Sequence, residues 1–167
     1  MGSPNILFVF QQASQWVALT GSRPGSGLCT PNVVVLNDGG GDISVPTPSN
    51  GNFTYKGTSY PTYPTATCTL VVGSQKTPKF SFTATDATAS ATAYFLTGVA
   101  LKNAAATGGN GGQSFPGLKV DVDNQTNATT LTLQDNNKGA ATYDFWVMAQ
   151  NSAGDVGLID PLISNTN

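Results

Sequence analysis

Short runs of β-branched and aromatic residues, cut every few positions by Gly, Pro, Asn or Asp, recur along this chain. That rhythm predicts strands joined by turns. Asn5 to Phe10 (NILFVF) and Gln15 to Leu19 (QWVAL) predict a first strand or a bent pair. Val33 to Leu36 (VVVL) reads as a buried strand, and the Gly- and Pro-rich stretch 37–52 as a loop. A short strand at 53–55 and a proline-broken stretch lead to a strand at 66–72. Lys79 to Thr85 (KFSFTAT) alternates cleanly, with Phe80 and Phe82 on one face and Ser81 and Thr83 on the other. Residues 91–101 (ATAYFLTGVAL) are long enough for a helix, but their Thr and aromatic content favours a strand, bent at Gly98. After the Gly-rich loop 103–117, the runs 118–123, 129–134 and 142–150 predict a meander. The turn 151–157 then leads to a last strand, 158–164 (LIDPLIS).

Nowhere does a cap precede apolar residues at i, i+3 and i+4, so no helix is predicted. Eight or nine strands with turns between them predict an all-β fold. Its expected form is an antiparallel β-sandwich of immunoglobulin-like shape, a single domain over residues 1–167. The Cys–Trp–Cys core of true immunoglobulin domains is missing, so the expectation concerns shape alone.

Composition narrows the chemistry. Charged residues make up 10% of the 167 positions, so Thr, Asn, Ser and Gly, not charges, occupy the polar half of each strand. The net charge is −2 and the seven basic residues are scattered. No basic stripe exists to track a phosphate backbone, which argues against nucleic acid as a partner. Histidine is absent, and every one of the nine acids is an Asp. The commonest general base and metal ligand is therefore missing, and no metal or cofactor is expected. Acid–base chemistry would fall to Asp, Lys, Tyr or Cys. Cys29 and Cys68 admit a disulfide, but two small buried thiols are the simpler reading. No run reaches the length of a membrane span. Residues 6–10 are too short for a signal-peptide core and lack a basic flank, which leaves a cytoplasmic or assembled form open.

Most motif-like features read as turns. GGNGG is followed by no Lys-Ser/Thr and opens no helix, so it is not a phosphate cradle. NDGGGD and DVDN hold carboxylates, but not at the spacing of a calcium loop. Asn52, Asn124 and Asn127 begin glycosylation triplets of the kind chance produces in an Asn- and Thr-rich chain. Trp16, Trp146 and the tyrosines could stack on a glycan, although aromatics at alternating strand positions more often face a core.

The final hairpin stands out. Proline removes a ladder donor, so Pro161 predicts an edge strand or a bulge. The aspartate before it needs another reason. Asp160 shares its strand face with Leu158 and Leu162; if that face is buried, the carboxyl is desolvated and its pKa raised. The side chain of Asp160 can reach its own carbonyl carbon through a five-membered ring. The leaving group is then the secondary amine of Pro161, which must gain a proton as it departs. A turn centred near Ser152 places Asp144 opposite Asp160, where one carboxyl would serve as acid and the other as nucleophile. A register shift of two puts Thr142 or Trp146 there instead. Asp155, in the turn, is the reserve acid.

The ending DPLISN (160–165), after an aromatic strand and a Gly-containing turn, resembles the DP-EP family of small bacterial β-sandwich proteins. It is also distantly similar to the inclusion-body proteins. The likeness is best over residues 76–167. It implies a sandwich that cleaves itself at Asp160–Pro161 and keeps the released tail as a strand, with the Asp able to join a nearby lysine amine. Two departures stand in this sequence. There is no Glu-Pro, and the strand 142–150 holds no lysine, with Lys138 in the turn at its far end. Lys102 and Lys119 have no assignable position.

Three functions follow as expectations. The first is single-turnover autoproteolysis at Asp160–Pro161 by Asp160, with Asp144 or Asp155 as acid, acting on itself and without a cofactor. The second is a structural, self-assembling protein forming a homo-oligomer, filament or inclusion body. The third is a carbohydrate-binding module.

Overall fold

A computed structural model of the chain describes residues 2–19, 28–73, 76, 78–88, 92–101, 118–122, 130–135, 141–160 and 162–165. Among them are thirteen strands, more than the eight or nine expected. In chain order the first seven are β1 (Asn5–Phe10), β2 (Asn32–Asn37), β3 (Ile43–Ser44), β4 (Asn52–Tyr55), β5 (Thr58–Pro64), β6 (Thr69–Val72) and β7 (Lys79–Asp86). The rest are β8 (Tyr94–Leu101), β9 (Leu118–Val122), β10 (Thr130–Asp135), β11 (Ala141–Asn151), β12 (Val156–Ile159) and β13 (Leu162–Asn165). The only helical pieces among the described residues are two single 3-10 turns, Ala13–Gln15 and Thr65–Thr67. The fold is all-β.

The strands form two sheets. Seven lie in the order β4-β5-β2-β1-β7-β10-β9, and six in the order β12-β11-β13-β6-β3, with β8 on the other side of β11. Two pairings are parallel, β1 with β7 and β13 with β6, so the fold is mixed and not purely antiparallel. Parallel neighbours need long crossovers, which local patterning does not reveal. The predicted meander also divides. β9 and β10 pair, but β10 continues to β7, and β11 belongs to the second sheet.

Period-two burial explains the strands. Phe80 and Phe82 of β7, Leu131 and Leu133 of β10, and Phe145, Val147 and Ala149 of β11 all enter one core shared by both sheets. After Asn5, β1 is apolar throughout because both its faces are covered. Ile6, Phe8 and Phe10 join the main core, while Leu7 and Val9 pack with Val34 beneath Phe53, Tyr55 and Tyr60. Those rings belong to the β4–β5 hairpin. Its turn residues Lys56 and Gly57 both have positive φ, 48° and 82°, which matches the twist of a tight hairpin. β5 tolerates two prolines because each ends a ladder. Pro61 is the last partner toward β4 and Pro64 the last toward β2. β8 bulges beside Gly98, as its sequence suggests.

The segment 15–19 is not a strand. It leaves the first 3-10 turn and runs beside β12, where the Leu19 N–H donates to the Val156 carbonyl at 2.6 Å. Trp16 leans into the core against Phe10 and Tyr94 and is not part of an exposed stacking face. Beside it, Cys29 packs so closely that a Cβ on Gly157 would stand 2.6 Å from its sulfur, which is why only glycine fits there.

Cys29 and Cys68 are free and buried. Burial pushes both thiols up, Cys68 to about 12 from its ordinary 9.0. Neither thiol should react with iodoacetamide at pH 8 in the native protein, and both should react in denaturant. Fast native alkylation at either position would contradict the packing. The Cys68 proton is held more tightly folded than unfolded. Its contribution to stability is therefore intact below pH 9 and is lost as pH rises toward 12.

Candidate functional site

The two halves of the predicted last strand are separate elements that pair with the same neighbour. β12 pairs with the second half of β11, with Val147 opposite Ile159, and β13 with its first half, with Asp144 opposite Leu162. Asp160 lies between them, outside either strand, and Pro161 lies outside the described residues. Both ladders keep one register, so the β11 residue level with Asp160 is Trp146. Asp144 is not directly across from Asp160, as a turn centred on Ser152 would have it. The turn sets this. The Asn151 side-chain oxygen accepts from the N–H groups of Ala153 and Asp155, at 3.0 and 2.9 Å, and Gly154 takes φ 93°. The loop therefore centres on Ala153.

The last strand is not an edge strand either. β13 lies between β11 and β6, with Ile163 fully buried opposite Tyr143 on one side and Leu70 on the other. Next to β12, Cys29 donates its N–H to the Leu158 carbonyl at 2.8 Å. The outer partner thus changes between β12 and β13, from the segment around Cys29 to β6.

Ile159 and Ile163 carry the core-facing side of this stretch. Asp160 therefore projects from the outer face, where it is half-buried. The core-facing setting considered from sequence does not occur. Asp144 is on the same face and also half-buried. The two aspartates are diagonal neighbours across the hairpin, an offset that typically spans about 7–8 Å between backbones.

They nevertheless share a cleft. A cavity of about 210 Å³ is lined by Asp144, Asp160 and the run Thr65, Ala66, Thr67, Cys68 and Thr69. Pro64, held at φ −67°, starts the 3-10 turn that forms this second wall, and the Cys68 N–H returns to the Pro64 carbonyl at 3.0 Å. The buried Thr65 hydroxyl donates to the Pro31 carbonyl and anchors the turn. The Thr47 hydroxyl donates to the Thr67 carbonyl at 2.9 Å. β6 then leaves with Leu70 and Val72 inward, so Thr69 faces the cleft side. Sequence reading missed this wall: nothing local in 64–69 says that it lies beside residue 160.

The other predicted residues fall elsewhere. Asp155 stands five residues from Asp160, roughly 16 Å along an extended strand, and its carboxylate accepts from the Asn151 amide at 3.3 Å. It closes the turn. Among the described residues no lysine lines the cleft. Lys119 is on β9, at the end of the other sheet, Lys76 pairs with Asp42 at 3.1 Å, and Lys102 and Lys138 lie outside the described residues. In the NDGGGD loop, Asn37 and Asp38 accept from the N–H groups of Gly39 and Gly40, as turn residues do. Neither a comparison with protein families nor a search of curated proteins returns a match to this chain. Its function has to be read from its own residues.

Proposed function

We propose that this chain is a self-processing β-sandwich of immunoglobulin-like shape that cuts its own Asp160–Pro161 bond and retains the tail as a strand. One observation carries the reading: Asp160 and Asp144 line one cleft at the break between β12 and β13. The core shared by two sheets favours the sandwich shape.

The chemistry needs only these groups. An Asp160 carboxylate oxygen attacks the Asp160 carbonyl carbon and closes a five-membered anhydride. The C–N bond breaks as Asp144, in its acid form, gives its proton to the Pro161 nitrogen. Water then opens the anhydride to two carboxyls. Holding nucleophile and carbonyl in one residue supplies an effective concentration of up to about 10⁵–10⁸ M when they are well aligned.

Intact mass spectrometry in denaturant, on protein aged after purification, tests the reading. The expected species are a chain ending at Asp160 and a peptide of residues 161–167. An unchanged full-length mass at all times would overturn it. Asp144→Asn should slow cleavage by about 10²–10⁴-fold, the usual worth of a positioned acid. Equal rates in the two proteins would remove Asp144 from the mechanism.

A further inference from the structure

Threonines are among the residues that line the cleft with Asp160, and this suggests a second fate for the acyl group, resting on the cleavage reading above. We propose that the Thr67 hydroxyl captures the Asp160 anhydride and leaves an intramolecular Thr67–Asp160 ester. Three threonines, at 65, 67 and 69, line the cleft with the two aspartates, and among the described residues no amine does. Thr65 is buried with its hydroxyl committed to Pro31. Thr69 pairs in register with Leu162, two residues past Asp160. Thr67 lies in the 3-10 turn just before that ladder and lines the same cleft as Asp160. Thr67 is exposed, so its hydroxyl carries no desolvation cost, and among the described residues it is the backbone carbonyl that is engaged, by Thr47.

The step balances. The Thr67 oxygen attacks one anhydride carbonyl, and the C–O bond of the anhydride breaks. The displaced oxygen leaves as the second Asp160 carboxylate. The hydroxyl proton passes to Asp144, which lost its own proton to the Pro161 nitrogen in the step before. Asp144 thus ends as it began, and no outside reactant enters. A hydroxyl held in the same cleft competes with solvent water through its effective concentration.

Mass spectrometry in neutral denaturant reads the result. The fragment ending at Asp160 should be lighter by one water than the hydrolysed fragment and should stay so for hours, which an anhydride would not. Hydroxylamine should discharge it, and fragmentation should map the link to Thr67. Thr67→Val should still cleave but yield only the hydrolysed mass, while Thr67→Ser should restore the lighter one. Cleavage with only the hydrolysed mass in the wild type would overturn the ester and leave self-cleavage standing. A lighter fragment that persists in Thr67→Val would overturn the assignment to Thr67. A chain that never cleaves would overturn both.

Discussion

Asp160→Ala protein, aged under conditions that cut the wild type, keeps its full mass. The variant has lost the only carboxyl able to form a five-membered ring with that carbonyl, so the intramolecular route vanishes. What remains is ordinary hydrolysis of an amide, slower by the whole proximity advantage of about 7–11 kcal/mol. The fold should survive. Asp160 is half-buried on the outer face, and the core contacts on either side belong to Ile159 and Ile163. The expected stability change is within about 1 kcal/mol, read from urea denaturation. A variant that folds normally and still yields a chain ending at residue 160 would remove Asp160 as the nucleophile.

The second large effect concerns the tail. In cleaved wild-type protein the residues after the cut should co-elute with the body in native gel filtration and separate only in denaturant. β13 is paired on both sides, and Ile163 is completely buried between Tyr143 and Leu70. Ile163→Asp should release the tail without denaturant. Loss of the buried aliphatic group alone costs about 2–5 kcal/mol. The carboxylate adds the penalty of an unpaired charge among apolar side chains. In uncut protein the same substitution should lower the urea midpoint steeply, because the tail cannot leave. Free dissociation of the wild-type tail under native conditions would show that β13 does not hold itself in place.

The site was half legible. Asp160, Asp144 and the hairpin that carries them could be picked out, because a strand, a Gly-containing turn and an Asp-Pro step are local features. Their relation could not. Moving the turn centre from Ser152 to Ala153 shifts every cross-strand partner by two, so Asp144 meets Leu162 and Trp146 stands level with Asp160. The signal for that shift was present in Asn151 and Gly154, whose side-chain oxygen and positive φ define the loop. The proline was read as the mark of an edge strand; instead β13 is paired on both sides, and the outer partner changes between β12 and β13, from the segment around Cys29 to β6.

By itself the sequence determined that the chain is all-β and where most strands run. It also determined which residues of KFSFTAT face inward, and that acid–base chemistry falls largely to aspartates. Those properties follow from period-two alternation and from composition, which act over a few residues. Only the tertiary structure decided that β1 is covered on both faces, that β10 and β11 part into different sheets, and that β13 lies parallel to β6. It alone brought the threonine wall at 65–69 against Asp160, some ninety residues away along the chain. Such pairings are set by which apolar faces can be buried together once the whole chain has collapsed, and no short window of sequence holds that information.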